Sequence, residues 1–269
     1  MFRRVFKLFQ IARKLSTSGA IDTINQVHQI PMPINLFFSF ISIGSKNTHL
    51  NDNKNPGKKL CEALQSMGTT FIKLGQFLAT RPDIIGEEIA KDLEKLQDKV
   101  PAFELYEAKK VIKKEIGEKQ YNNIIEIGEP IAAASIAQVH FAKIKNENQE
   151  KQVAIKILRP DIEQLFNEEL DALMLFAYIV ENTISKAKRL KLVEVVHLLR
   201  EITNSEMDLR FEAAAANELY ENTKLDVGFN VPKIYWNYTT KKILTLDKVE
   251  GESIREHKKL EQQGINLKK

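Results

Sequence analysis

A single cysteine, Cys61, in 269 residues excludes an intrachain disulfide framework, and five histidines beside it leave no Cys-rich zinc module. Cys61 reads as a small core residue in a reducing compartment. Long hydrophobic runs are also missing. The most apolar stretch outside the predicted folded body, residues 34–43 (INLFFSFISI), is ten residues long. A bilayer-spanning helix needs about twenty, so this one reads as an interfacial dip or a short buried helix. No segment alternates strand and helix in the βαβ manner, which excludes a dinucleotide-binding doubly wound sheet. The first 60 residues are almost free of acid, with two Asp against nine Lys/Arg, whereas the rest holds 31 basic against 34 acidic residues. All the positive excess is therefore N-terminal. That asymmetry argues against a nucleic-acid-binding core and for a basic extension that touches something anionic.

A hydrophobic fraction of 43% and a charged fraction of 28% leave material for an ordinary globular core. Residues 2–15 (FRRVFKLFQIARKL) set Phe2, Val5, Phe6 and Phe9 at helical spacing, with Arg3, Arg4, Lys7, Arg13 and Lys14 mostly opposite. Such a helix suits an anionic membrane surface, and it equally suits docking on its own domain. Residues 44–59, rich in Gly, Ser, Asn, Asp and Lys, read as a linker. Helices are predicted over 61–80, 86–98 and 104–117, with breaks marked by Pro82 and Pro101. Short β-branched runs at 124–131, 138–145 and 152–158 predict three strands. A helix over 161–186 and a long one over 191–222 follow, then two strands at 230–238 and 241–247. The predicted class is α+β: a five-stranded antiparallel sheet with a long helix, preceded by a helical extension.

The chemistry concentrates around Val153-Ala154-Ile155-Lys156. Alternation on a strand puts Ala154 and Lys156 on one face and Val153, Ile155 and Ile157 on the other. The first face then offers a small residue that a purine can lie against and an ammonium that can reach phosphates, the strand-lysine signature of kinases. A solvated lysine on an edge strand is the plain alternative. Upstream, Ala132-Ala133-Ala134-Ser135 occupies the turn where ordinary kinases carry glycines that let backbone approach phosphate.

Together with the following Gln138-Val139-His140 and the VAIK-R-P run, this arrangement resembles the UbiB/ABC1 family of atypical kinases. Lys73-Leu74-Gly75-Gln76 resembles the family's KxGQ motif, and Glu206-Met207-Asp208 its ExD motif on the long helix. The resemblance covers residues 60–255. It implies that Lys156 holds the α/β-phosphates and that Glu212, on the same helix as Glu206, is its ion-pair partner. It further implies that Ala132–Ala134, Ser135 and Ala154 line the nucleotide. Lys73 and Gln76 would share a face over the site mouth, with Lys73 meeting Glu206 or Asp208, or those carboxylates helping to hold metal. Leu244–Gly251 resembles the hinge that reads the adenine edge.

The implied cofactors are ATP and Mg2+, and the implied role is ATPase-like chemistry in ubiquinone biosynthesis. The implied location is peripheral, on the cytoplasmic face of the inner membrane, near quinone-precursor lipids and other ubiquinone-biosynthesis proteins. A non-catalytic nucleotide- or lipid-binding scaffold is the alternative. The expected organisation is an extension and linker over 1–59, a KxGQ segment over 60–120, a kinase-like N-lobe over 121–248, and a hinge with a truncated C-lobe start over 249–269. Only 18 residues follow Gly251, and none contains the catalytic-loop or metal-holding Asp motif. The expectation is thus of a truncated product without the C-lobe. Asp226-Val227-Gly228 spells a decoy DxG and reads as a turn.

Overall fold

The computed structural model describes residues 2–17, 55–96, 100–146, 149–254 and 256–264. The 34–43 run and most of the predicted linker lie outside these. In chain order the elements are α1 (Phe2–Thr17), α2 (Pro56–Met67), α3 (Thr69–Ala79), α4 (Pro82–Ile85), α5 (Glu87–Leu93) and α6 (Leu105–Tyr121). There follow β1 (Ile124–Ala133), β2 (Ala137–Asn146), β3 (Gln149–Leu158), α7 (Ile162–Thr183), α8 (Leu192–Glu206), α9 (Leu209–Thr223), β4 (Ile243–Asp247) and α10 (His257–Gln262). The class is α+β, as expected.

Three differences from the sequence reading have local causes. The 61–80 helix starts earlier, at Pro56 behind an Asn55 cap whose side chain accepts from Gly57 N, and it breaks at Gly68, whose φ of 104° favours glycine. The 191–222 helix is two helices, α8 and α9, divided at Met207–Asp208. Among the described residues the sheet has four strands in the order β1-β2-β3-β4, not five. Within 230–238, Ile234 makes one bridge to Leu246 and the chain then coils into a 3-10 turn at Trp236–Tyr238. There the Lys233 amide donates to Asp247 Oδ2 and the Thr245 amide to Thr239 Oγ1, so the backbone rungs that would extend the ladder are not made. Asp226–Gly228 is the expected turn, just after α9.

Every strand pair is antiparallel, and β2 and β3 pair without interruption from Ala137↔Leu158 to Asn146↔Gln149. Two apolar clusters flank this sheet. On one face Val153, Ile155, Ile157 and Ile144 pack with Ala108 and Ile112 of α6. On the other, Leu158 and Leu244 join a larger core built from α2, α3, α5, α7, α8 and α9 around Phe71, Leu93, Phe166, Leu170 and Leu199. The helical body therefore covers one end of the Lys156 face and leaves the other end open.

α1 docks on α7. Ile11 and Ala12 are buried, and Lys7 Nζ reaches the nearly buried Glu169 at 3.2 Å. Phe6 and Phe9 stay 63% and 45% exposed on its outer side. The docking alternative thus describes one side of this helix and leaves the aromatic side to solvent. Among the described residues, no helix is long and apolar enough to cross a membrane.

Candidate functional site

In an antiparallel ladder, directly paired residues share a face. The pairs Val139↔Lys156 and Phe141↔Ala154 on one side of β3, and Leu244↔Lys156 and Leu246↔Ala154 on the other, therefore project together. Val139, Phe141, Ala154, Lys156 and Leu246 are each partly exposed, while Val153, Ile155 and Ile157 are buried behind them. The predicted alternation holds residue by residue. The result is a shallow apolar patch with the Lys156 ammonium at one end and Lys248 Nζ 4.8 Å over the Phe141 ring at the other.

The Lys156 ammonium is fixed. Lys156 Nζ donates to Glu212 Oε1 and Oε2 at 2.9 and 2.7 Å. Glu212 stands in the first turn of α9, where the helix dipole favours a carboxylate. With the two side chains 29% and 50% exposed, the pair adds at most about 1 kcal/mol of stability. It is cheap to rearrange around an arriving anion.

The second ion pair is more enclosed. Lys73 Nζ of α3 lies 2.8 Å from Glu206 Oε2 at the end of α8, with side chains 15% and 35% exposed. That oxygen is itself cut off from solvent. The helices α3 and α8, distant in sequence, are tied at this point. Gln76 lies one turn further along the same face of α3, half-buried. Gly75 between them is a packing residue: a Cβ there would fall 2.8 Å from Leu64 Cδ1 and closer still to Leu96 Cδ1.

Asp208 has a different task from Glu206. It is the N-cap of α9, accepting from Arg210 N at 3.1 Å and from Arg210 Nε and Nη2 at 2.9 and 2.6 Å. The Arg210 side-chain bonds hold its carboxyl below the usual carboxylate range. Buried Met207 and Leu209 anchor the break on either side, and Leu209 N donates to Lys241 O at 2.9 Å. Glu206 and Glu212 are consequently on different helices, a correction to the single-helix reading. The N-cap preference of Asp was the available signal.

Ala132 and Ala133 belong to β1, and Ala134 and Ser135 lie in the hairpin tip, closed by Ala134 N donating to Ala137 O at 2.8 Å. Ala132 is exposed beside Val139. Ser135 is fully buried, its hydroxyl without a partner among the described residues, while its carbonyl accepts from Thr69 Oγ1 at the start of α3 at 3.2 Å. The tip would have to open before Ser135 met a ligand. Arg159 braces it from below, donating through Nε and Nη2 to Ala134 O at 3.1 and 2.9 Å and through Nη2 to Val100 O at 3.2 Å.

Sequence reasoning missed Arg159, Val139 and Phe141 as site-shaping residues. The spacing Ala132-x-Ala134-x-x-Ala137-x-Val139 was the signal, since it copies the spacing of a kinase phosphate loop and the valine after it. It also missed the part of Gln138 and His140. Gln138 Oε1 accepts from Phe103 N at 2.9 Å and its Nε2 donates to Phe103 O at 3.1 Å. His140 Nε2 lies 2.8 Å from Gln138 Nε2, and its Nδ1 lies 2.9 Å from Gly128 O. The only consistent pattern has Nδ1–H donating to Gly128 and Nε2 accepting from Gln138. This buried network pins the back of the hairpin.

Beside β4, Tyr235 donates to Asp247 Oδ1 at 2.6 Å, and burial together with that carboxylate pushes the phenol well above its ordinary value. Cys61 is half-buried and donates to Asp92 O at 3.2 Å, and burial raises its thiol. It has no reactive setting.

The domain described as ABC1 atypical kinase-like matches residues 95–269. The chain belongs to that ABC1 atypical kinase-like family. It is 33% identical over 266 residues to a Marinobacter nauticus protein described as "Probable protein kinase UbiB", covering 98% of this chain and 47% of that protein. Proteins of the same description from Azotobacter vinelandii and Tolumonas auensis are 36% identical over 207 residues and 31% identical over 269. They share 77% and 100% of this chain and 38% and 48% of their own lengths. The chain thus spans about half or less of the length of these ABC1 relatives.

Proposed function

We propose that this chain supplies the nucleotide-gripping half of a UbiB-type atypical kinase that uses ATP in support of ubiquinone biosynthesis. The observation that carries the reading is the bidentate Lys156–Glu212 pair at the edge of an open apolar strip of Val139, Phe141 and Ala154. A purine lies against the strip, the hairpin tip of Ala132–Ser135 covers the phosphates, and Lys156 meets the α/β-phosphates. Glu212 keeps the ammonium aimed when the nucleotide is absent. The backbone around Leu246–Lys248 reads the adenine edge. Lys73–Glu206, with Gln76 beside it, holds the helical segment across the site mouth and favours small-molecule or ATPase-like chemistry over protein substrates.

The chain's own carboxylates fit Mg2+ poorly. Glu206 faces Lys73 and Asp208 faces Arg210, and the described residues hold no cluster of three His, Cys, Asp or Glu suited to a metal. The reading is therefore one of nucleotide binding and orientation, with the phosphoryl-transfer residues outside this chain's motifs.

Thermal unfolding with and without ATP tests it. A rise in melting temperature that Lys156→Ala removes supports the reading. Equal shifts in both proteins sink it.

A second reading, a membrane-surface scaffold, is favoured by the outer side of α1. There Phe6 and Phe9 are exposed beside the exposed Arg13 and Lys14, a pattern suited to an anionic interface. Peripheral placement on the inner membrane, near quinone-precursor lipids, accords with it. Flotation with phosphatidylglycerol vesicles checks this: Phe6→Ser/Phe9→Ser should reduce binding, and unchanged binding at low salt would count against it.

A further inference from the structure

Remote from the strip, a cavity of about 380 Å³ opens between α4, the 3-10 turn Ser185–Leu190 and the start of α8. Four apolar side chains form one wall: Ile84 and Val195 are buried, Leu190 is half-buried and Leu198 is exposed. Its rim is charged, and most of those charges cancel locally. Arg81 is held bidentately by Asp83 at 2.8 and 2.7 Å, and Lys191 donates to Glu194 at 3.0 and 3.1 Å. Arg189 is left over, with no hydrogen-bond or ion-pair partner among the described residues. The amide of Val193 in the first turn of α8 is already taken by Glu181 Oε1 at 2.9 Å, so the cationic feature here is the Arg189 guanidinium rather than the helix end.

Lys191, between Arg189 and α8, sits in the left-handed region at φ 48° and ψ 50°, a conformation that costs a lysine about 1 kcal/mol or more. The chain accepts that strain to make a sharp corner at the cavity's edge.

We propose that this cavity binds a small amphiphilic anion, its carboxylate or phosphate-ester head on Arg189 and its apolar body against Ile84, Leu190, Val195 and Leu198. A guanidinium presents a planar fork matched to either head group, and an apolar wall beside one uncancelled cation selects for charge and tail together. The location gives such binding a consequence. The cavity joins Arg81 and α4, just beyond the end of α3, to the first turns of α8, whose far end carries the Glu206 that pairs with Lys73 of α3. The site is independent of the nucleotide reading.

Calorimetric titration of the full 269-residue chain with monomeric octanoate and octyl phosphate tests it, with octanol and inorganic phosphate as separate arms. The expected result is saturable binding of both acids, with octanol and inorganic phosphate each at least about tenfold weaker. Arg189→Gln should weaken both acids about tenfold, and Leu198→Glu should abolish binding by setting a like charge in the wall. Both positions are at the surface, so folding is preserved, and an unchanged circular dichroism melt verifies it. Binding unaffected by Arg189→Gln overturns the proposal, as does equal affinity for octanol. Inorganic phosphate matching octyl phosphate overturns it as well. Binding only to phosphatidylglycerol vesicles and not to monomers assigns the patch to a membrane surface and overturns it too.

Discussion

The two faces of the sheet use the same strand residues for opposite ends. Behind β3, Val153, Ile155 and Ile157 are at most 1% exposed, and the polar groups nearby, Gln138 and His140, satisfy one another and the backbone of Phe103 and Gly128. In front, Ala154 and Lys156 stand half-open, and Lys156 is held by an ion pair to a helix that arrives from elsewhere. A face closed by packing and a complete hydrogen-bond network sets the strand's position. A face left open by small residues is free to accept a ligand. The comparison predicts that substitutions behind the sheet cost stability, whereas those in front cost binding.

The largest effect belongs to the closed face. Ile155→Ala should lower unfolding free energy by about 2–5 kcal/mol, read from the urea midpoint. A loss below about 1 kcal/mol would mean that the α6 side is loosely packed and the contrast false. Gln138→Ala should follow at roughly 1–3 kcal/mol, because it strips partners from Phe103 and His140 and leaves buried groups unpaired.

Next come the ties between helices. Lys73→Ala leaves Glu206 Oε2 shut off from solvent without its charged neighbour, and should cost about 1–3 kcal/mol. Lys73→Ala/Glu206→Ala, which removes both charges, should recover part of that loss. Asp208→Asn tests the break between α8 and α9 through pH. The native carboxyl is held below its ordinary value of 3.8, so its contribution is present above that pH and is lost as pH falls through the depressed native value. The wild type should therefore lose its margin over Asp208→Asn on acidification below about pH 4. A margin constant from pH 7 to 3 would contradict the Arg210 contact.

What was legible in the sequence divides along the same line. Strand alternation, the three hairpin-linked strands and the pairing of Lys156 with Glu212 followed from period-two patterning and a motif resemblance. Features set by a few local contacts did not. A helix pattern runs on through Met207–Asp208 because Met, Leu, Arg and Ala are all compatible with helix; only the Asp208 cap and the Lys241 carbonyl turn it into two. Ile234–Tyr235 reads as strand by composition, yet the side chains of Asp247 and Thr239 take the amides of Lys233 and Thr245 and hold it to one bridge. The roles of Arg159 and His140 depend on backbone carbonyls of Ala134, Val100 and Gly128, which have no sequence signature at all.

The smallest expected stability effect falls at the residue on which the functional reading turns. Lys156 and Glu212 are both partly solvated, so a double-mutant cycle of Lys156→Met and Glu212→Gln should give a coupling of only about 0.2–1 kcal/mol in unfolding free energy. The same substitutions should act unequally on nucleotide binding. Lys156→Met removes the proposed phosphate contact and should abolish the ATP-dependent rise in melting temperature. Glu212→Gln only loosens the ammonium's aim and should reduce that rise while leaving part of it. A coupling of several kcal/mol would make the pair a structural tie like Lys73–Glu206. An ATP response surviving Lys156→Met would leave the open face without its ligand. A weak pair that nevertheless governed ligand binding would separate this face of the sheet from the one behind it.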